Sequence, residues 1–324
     1  MYKFVLKRLL MMIPIVIGVS LLIFIILDFV PGDPGSILLG AGARQEDIDM
    51  LNEQLGYNRP FMQRYGLYMY NAIFKLDLGK SYSTKKPVFS EVANRLPVSL
   101  AVAFNAILFS MLFGVPLGIL SAVKQNTLFD RIPTAAALLL SSQPAFLIGL
   151  VLMLIFSMKL GWLPATGVSS WKSYIMPMIA LGLPNGGRQL RFTRSSMLET
   201  IRQDYVRTAK AKGAPPRLVI WRHAMKNALL PVITLAGTSF GILIGSAVAT
   251  ETLFGLPGLG TFVVAGIQQK DMPVVTGGIM ILAVIFSFVI LLVDISYAFV
   301  DPRIRAKYSS PAALRWLSGA GRGI

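Results

Sequence analysis

Long runs of residues without a single charge constrain the fold of this chain more than any other feature. A helix of roughly 20 apolar residues crosses a hydrocarbon core about 30 Å thick, and five runs reach about that length. A sixth run has only 15 residues and contains Pro177 and Pro184. The six runs are Leu9–Leu27, Leu96–Val123, Ile132–Met158, Ser173–Gly187, Asn227–Thr250 and Met272–Val293.

The positions of Lys and Arg predict which side of the membrane each connecting segment occupies. Basic residues accumulate in cytoplasmic loops, and ten of them lie within 188–226. If the short fourth run spans, the segments on the side of the N-terminus (1–8, 124–133, 188–226, 301–324) hold 20 basic and 4 acidic residues, whereas the other side holds 11 basic and 9 acidic. The sequence therefore predicts an all-α, multi-pass membrane protein with six transmembrane helices and with both termini in the cytoplasm.

This topology also explains the basic composition. The predicted inside segments carry an excess of 16 positive charges, which equals the net charge of the chain. Since no aromatic-interleaved basic stripe accompanies that charge, we expect no nucleic-acid partner. The chain has no cysteine and one histidine, His223, which excludes disulfides, thiolate metal sites and a histidine-based metal cluster.

The first apolar run is expected to be a retained helix. It has 19 residues, whereas the apolar core of a signal peptide has about 7–15. The small residues Ala41 and Ala43, which resemble a cleavage site, lie well beyond its end. The expected division is an N-terminal segment with the first transmembrane helix (1–30), an external loop with amphipathic helices (31–95), a five-helix core with a cytoplasmic loop at 188–226 (96–305) and a cytoplasmic tail (306–324).

The external loop contains two stretches with helical character. Ile48, Leu51 and Leu55 recur at helical spacing and are followed by Gly56. The stretch 61–76 is rich in Tyr and Phe, which is typical of the membrane–water boundary. Two interpretations remain open: a pair of amphipathic helices lying on the membrane, or a docking surface for an external partner.

The loop 188–226 contains an apolar stripe on a basic segment. Gly213 interrupts a first helix, and Pro215-Pro216 begins a second, because proline is tolerated in a first helical turn. Leu218, Trp221 and Met225 follow at helical spacing. A stripe of this kind is expected to face lipid or a partner protein rather than water.

Two motifs that imitate enzyme sites have simpler explanations. The segment 78–81 resembles the end of a phosphate-binding loop, but Phe74 occupies the position of the first glycine. Residues 237–241 match a nucleophile elbow with Ser239 as the nucleophile, but they lie inside a predicted spanning helix. The recurring glycines fit close helix packing better. These glycines are Gly237, Gly241 and Gly245.

Five ionisable residues lie at or near the ends of the predicted spans. Charged groups at membrane depth are costly and often line a transport pathway, although those near an end can also reach the interface. Both roles are left open here. Pro184 and the glycines at 186 and 187 should loosen the fourth helix where its arginines begin, as in helices that flank transporter sites. The five residues are Asp28, Arg188, Arg191, Glu251 and Asp294.

Short motifs occur in a fixed order along nearly the whole chain. They are Val30–Pro34, Asp77–Ser81, Arg95–Pro97, Leu160–Pro164, Asp204–Gly213, His223–Pro231, Pro257–Gly260, Asp271–Val275 and Asp301–Arg305. In this order they resemble the permease subunits of dipeptide, oligopeptide, nickel and glutathione ABC importers. The resemblance implies the type I ABC importer permease fold and a bacterial or archaeal cytoplasmic membrane.

The resemblance also implies partners and a coupling element. In this family the loop at 188–226 enters a groove of an ATPase subunit; Gly213 matches the motif glycine and Ala209 its second alanine, whereas Arg207 stands at the glutamate position. The implied partners are a second homologous permease, two ATP-binding subunits and an extracytoplasmic solute-binding protein. ATP and Mg would be bound by those subunits, and this chain would bind no cofactor and hydrolyse nothing.

The function implied is import of di- or oligopeptides by alternating access. Nickel-chelate and glutathione importers share the same motifs, so the solute remains open. A membrane enzyme that uses Ser239 is the alternative of a different class. Replacing Ser239 with Ala separates the two, since an enzyme would lose activity and a packing face would tolerate the change.

Overall fold

The computed structural model describes residues 2–30, 32–40 and 42–300, and within these ranges its regular elements are helices and one isolated bridge between Lys80 and Pro87. The predicted tail 306–324 and the end of the predicted core lie outside the described residues. In chain order the helices are α1 (Tyr2–Asp28), α2 (Pro34–Leu39), α3 (Gln45–Gln54), α4 (Phe61–Phe74), α5 (Val88–Val123), α6 (Leu128–Ser142), α7 (Ala145–Leu152), α8 (Ile175–Ile201), α9 (Asp204–Ala211), α10 (Pro216–Leu218), α11 (Met225–Leu253), α12 (Leu259–Gln268) and α13 (Met272–Val300).

Four stretches of helix among the described residues are long and apolar enough to cross a membrane. They are Arg8–Asp28, Val88–Val123, Pro216–Leu253 and Met272–Ile295. Each contains one of the predicted runs, because an uninterrupted apolar sequence can satisfy its backbone polar groups in lipid only by forming a helix. The helical, multi-pass class is therefore confirmed.

The third predicted run differs from the expected single helix. It forms α6 and α7, which meet at an angle of 101° and count as a fifth span if the bent pair crosses the membrane as one unit. Gln143 has extended backbone angles (φ −86°, ψ 139°) and precedes Pro144. The ring of a proline disfavours helical geometry in the residue before it, so the helix ends at Ser142 and restarts at Ala145. A turn of π-helix, Met153–Lys159, continues α7.

The fourth predicted run is the first half of α8, which continues to Ile201. The composition of α8 is too polar to identify this helix as a span, so the predicted total of six spans stays a prediction.

The position of α8 in the bundle explains its polarity. It packs along α5, with α6 and α11 also against it, and residues from Met176 to Thr200 on its inner sides are buried. A helix surrounded by other helices needs little apolar surface toward lipid.

Glycines allow α5 and α8 to approach closely. A Cβ atom at Gly114 would lie 2.6 Å from the carbonyl oxygen of Gly186, and one at Gly118 would lie 2.6 Å from that of Leu190. A Cβ atom at Gly187 would likewise lie 2.6 Å from the carbonyl oxygen of Ala137 on α6. Small residues of this kind bring helix backbones into contact where lipid supplies no hydrophobic driving force.

Buried side chains form one main core and two smaller clusters. The main core joins α5, α8, α11 and α13. A second cluster joins α4, α5, α12 and α13, and a third, near Met197, joins the ends of α5, α8 and α11. The end of the bundle that carries the third cluster also carries residues 202–224, and we call it the loop end.

The segment 31–95 forms α2, α3 and α4 at the opposite end. The Asp33 carboxylate accepts hydrogen bonds from the Ser36 N–H (2.8 Å) and from Asn52 Nδ2 (2.7 Å). The Asn52 side chain also accepts the Gly35 N–H at 2.8 Å, so α2 and α3 form one unit. Tyr65 of α4 packs edge-on against Phe24 of α1, which places the predicted aromatic stretch against the first span.

Candidate functional site

Residues 204–225, which we call the coupling segment, contain a sharp turn at Gly213. The Gly213 N–H donates to the Lys210 carbonyl (3.0 Å), and the Ala214 N–H donates to the Ala209 carbonyl (3.2 Å). This double closure ends α9 as a Schellman motif. Gly213 has φ +80°, and a Cβ atom there would meet nothing within 4 Å. Glycine is therefore favoured by its backbone conformation and not by lack of space.

The side chains of the predicted apolar stripe lie on two different sides of the coupling segment. Pro216 begins α10, and a turn of π-helix, Val219–Ala224, then leads into α11. Leu218 and Trp221 remain 40% and 61% exposed, whereas Met225 packs against the third cluster. A π-helical turn closes its hydrogen bonds over five residues and is wider than an α-helical turn, so the three side chains do not share one face.

The inner side of the coupling segment is fixed to the bundle. Val206 and Val219 are buried, and Ile220 and Met225 contact a cluster built on Met197. The outer side carries Trp221 and several exposed basic residues. Arg207 belongs to that side: its contact with Asp204 is 3.9 Å long, and both side chains are exposed. The exposed basic residues of the segment are Arg207, Lys210, Lys212, Arg217 and Arg222, and Arg202 lies just before it.

A partly buried ion pair with a buried carboxylate lies close to the coupling segment at the loop end. Arg194 of α8 donates from Nε and Nη2 to the two oxygens of Asp130 on α6, at 2.6 and 2.8 Å. Ser121 of α5 donates to Asp130 Oδ1 at 2.5 Å, and the Asn126 N–H donates to Oδ2 at 2.9 Å. The exposed fraction of Asp130 is 3%. In the sequence, Asp130 and Arg194 inform only the topology. Their pairing is not visible there, because no spacing pattern connects residues that are 64 positions apart.

Three of the five pathway candidates take part in contacts between helices. Asp28 pairs with Arg64 at 2.5 Å and joins α1 to α4, and Asp294 pairs with Arg8 at 3.0 Å and joins α13 to α1. Glu251 is 1% exposed.

The Glu251 carboxylate caps a short helix. It accepts the N–H groups of Gly260 and Thr261 at the start of α12, at 2.9 and 3.3 Å. Ser99 of α5 accepts the neighbouring Leu259 N–H at 2.8 Å. A carboxylate is favoured there because the first N–H groups of a helix have no partner within the helix.

The two remaining candidates, Arg188 and Arg191, are exposed on α8. Neither forms an ion pair with a residue in the part of the chain that the structure describes. They follow directly on Gly186 and Gly187, but the predicted loosening at Pro184 does not interrupt α8, which is continuous there.

The three glycines of α11 have different surroundings. Gly237 lies against Val293 and Gly241 against Phe286, both on α13. Gly245 meets nothing within 4 Å and lines an open groove with Phe146 of α7.

Ser239 lies within the same uninterrupted helix. A nucleophile elbow requires a sharp turn between a strand and a helix, and α11 provides none at this position. The alternative of an enzyme that uses Ser239 is therefore wrong on local geometry.

The chain matches two family models. Residues 114–306 match the model described as "Binding-protein-dependent transport system inner membrane component", and residues 1–103 match the N-terminal model of the same systems. The chain belongs to this family. It is a membrane-spanning permease subunit of an ABC importer and not a catalyst, so the predicted family and the predicted class of function are confirmed.

The similarity to curated relatives in the same family extends over the full length of each relative. The glutathione transport system permease protein GsiC of Escherichia coli O6:H1 is 37% identical over 307 residues, which cover 95% of this chain and 100% of the relative. The dipeptide transport system permease protein DppB of Alkalihalophilus pseudofirmus is 39% identical over 333 residues, which cover 94% and 100%.

The fold of the family is recognisable in solved structures. An inward-facing MetNI methionine ABC transporter chain matches with a TM-score of 0.55 and 17% identity, over 65% of this chain and 96% of that chain. This likeness shows the ABC permease fold alone. It is consistent with the predicted architecture, while the exact number of spans remains a prediction.

Proposed function

We propose that this permease imports small peptides, with di- and oligopeptides or glutathione as the solute. The observation that supports this most strongly is similarity over full length to permeases named for glutathione and for a dipeptide. Both solutes are short peptides, so a shared pathway would recognise peptide bonds and terminal charges. A nickel chelate is the alternative solute within the family resemblance.

The solute can be tested by direct import. Vesicles that contain the assembled transporter should accumulate a labelled dipeptide or labelled glutathione when ATP is supplied to the ATPase side. Excess unlabelled peptide should compete, whereas nickel should not. Nickel accumulation without peptide accumulation would contradict the proposal.

The proposed mechanism is alternating access by a pair of permeases with two ATP-binding subunits. ATP and Mg are bound by those subunits, and a solute-binding protein delivers peptide to the outer mouth. The external segment 31–95 is the proposed docking face for that protein. The open groove beside Gly245 is the proposed contact with the second permease, since a Cβ atom at Gly245 would meet no described atom within 4 Å and a small residue lets another helix approach.

The proposed contact with the ATPase subunit is the coupling segment, on the cytoplasmic side. Leu218 and Trp221 would enter the partner, with Arg207 on the surrounding basic surface. Ala209 and Gly213 would set the turn, and Met225 would hold the segment against the bundle.

The proposed pathway residues are Arg188 and Arg191. Their exposed position on α8 fits contact with the acidic terminus of a peptide. Asp28, Glu251 and Asp294 engage other parts of this chain, so they are the weaker pathway candidates.

A further inference from the structure

The ion pair between Asp130 and Arg194 joins three helices at the loop end. Arg194 engages both carboxylate oxygens, which fixes the orientation of α8 relative to α6 as well as their distance. Ser121 connects the same carboxylate to α5. Thr134, one turn further along α6, adds a contact to Asp130 Oδ1 at 3.3 Å.

The next turn of α8 is attached to the coupling segment. Met197, three residues after Arg194, is fully buried in the cluster that includes Ala224 and Ile220. Ser196 Oγ also donates to the Ala228 carbonyl at 2.8 Å. The coupling segment, the start of α11 and the end of α8 are therefore held together by packing and by hydrogen bonds.

Helix α6 is attached to α8 at its beginning and in its middle. The ion pair lies in its first turn, and Gly187 of α8 contacts the Ala137 carbonyl. The far end of α6 meets α7 at the 101° bend. A displacement of α8 at the loop end would therefore reach α6, and the change of angle can be taken up at Gln143 and Pro144.

We propose that Asp130 and Arg194 form a latch that makes α6 move as one body with α8 and the coupling segment during ATP-driven import. The pair positions helices and does not contact the solute. This inference rests on the proposed coupling function of residues 204–225. The alternative is that the pair only stabilises the fold, and that α6 and α8 separate during the cycle.

The absence of cysteine from the sequence makes a direct distance measurement possible. Arg131 and Ser195 are both exposed and lie beside the paired residues. Arg131→Cys with Ser195→Cys would carry spin labels in the assembled transporter, measured with and without ATP. The latch requires the same distance in both states, whereas in the Asp130→Asn background ATP should shift or broaden it. A distance that changes on ATP binding with the native pair present would overturn the proposal.

The amount of solute imported per ATP hydrolysed gives a second test. This ratio should not change if the ion pair only stabilises the fold. Asp130→Asn and Arg194→Gln should lower the import per ATP hydrolysed several-fold in complexes that still assemble, and Arg194→Lys should have a smaller effect. Ser141→Ala, which removes the hydrogen bond from Ser141 Oγ to the Leu138 carbonyl within α6, is the control on the same helix and should leave the ratio unchanged. An unchanged ratio in assembled Asp130→Asn complexes would overturn the latch.

The two proposals fail in different ways. If Asp130→Asn does not assemble, the latch is tested by the label-to-label distance in the protein with the native pair, which must be the same with and without ATP. If Trp221→Ala leaves assembly and import unaffected while the distance stays constant, the contact with the ATPase is wrong and the rigid connection of α6 and α8 stands.

Discussion

Gly118 and Leu190 bring the backbones of α5 and α8 into contact, since a Cβ atom at Gly118 would lie 2.6 Å from the Leu190 carbonyl oxygen. The Cβ atom of Thr193, one turn along α8 from Leu190, lies 2.7 Å from the same position. The space is closed by backbone and by a β-branched side chain, so neither neighbour can rotate away. Helix α8 is thus held by direct contact with α5 and not by an apolar surface toward lipid.

Gly118→Leu is therefore expected to destabilise the chain strongly. Forcing a larger side chain into a packed site costs about 1–3 kcal/mol or more, and the detergent-solubilised protein should unfold at a lower temperature. Gly18→Leu in α1 is the control, because Gly18 is exposed and a Cβ atom there has no neighbour within 4 Å. Equal thermal stability of the two variants would contradict the packing described here.

The topology can be tested by labelling single cysteines in intact cells. Thr208 and Ser170 are both exposed and lie at opposite ends of α8. If α8 crosses the membrane and residues 188–226 are cytoplasmic, an impermeant thiol reagent should label Ser170→Cys and leave Thr208→Cys unlabelled until the cells are opened. The reverse pattern would show that the orientation is inverted, and labelling of both would show that α8 does not span.

The external segment should lose its local structure at low pH. Hydrogen bonds from Asn52 and from the Ser36 N–H hold the pKa of Asp33 below its ordinary value of 3.8. A carboxyl group with a lowered pKa in the folded state contributes stability above its unfolded pKa, and that stability is lost as the pH falls through the folded pKa.

Hydrogen exchange of the α2 and α3 amides measures this contribution. Protection should decrease only at pH values below 3.8, whereas Asp33→Asn should reduce it at neutral pH as well. Gln45, whose side chain donates to Asp49 on the exposed surface of α3, provides the control variant Gln45→Ala. Equal protection in Asp33→Asn and the unaltered protein would show that the cap contributes nothing.

Much of the fold could be predicted from the sequence because lipid permits few alternatives for an apolar run. The long helices and the turn at Gly213 follow from local residues alone. The break before Pro144 also has a local cause. It could not be recognised from the charge-free runs, because the run that contains Pro144 has no charged residue on either side of it. The apolar run that begins α8 is short because the second half of the helix is polar, and the burial of that half depends on neighbours far away in the chain.

The site was less predictable because its contacts are not local. Asp130 and Arg194 belong to different helices, and Glu251 caps a helix that begins eight residues later. The inward position of Met225 depends on a π-helical turn that residue spacing does not reveal. Sequence patterns singled out residues 204–225 as the proposed coupling element, but they could not separate its outer side chains from those that hold it to the bundle.

The contact of Trp221 with the ATPase subunit is the central claim, and co-purification of the ATPase subunits with Trp221→Ala tests it most directly. Trp171→Ala is the matched control, because Trp171 is similarly exposed (73%, against 61% for Trp221) but lies before the other end of α8. Buried aromatic anchors commonly contribute about 2 kcal/mol or more to an interface, so Trp221→Ala should weaken association by roughly 30-fold while Trp171→Ala should not. Full association of the ATPase subunits with Trp221→Ala, together with unchanged import per ATP, would contradict the claim.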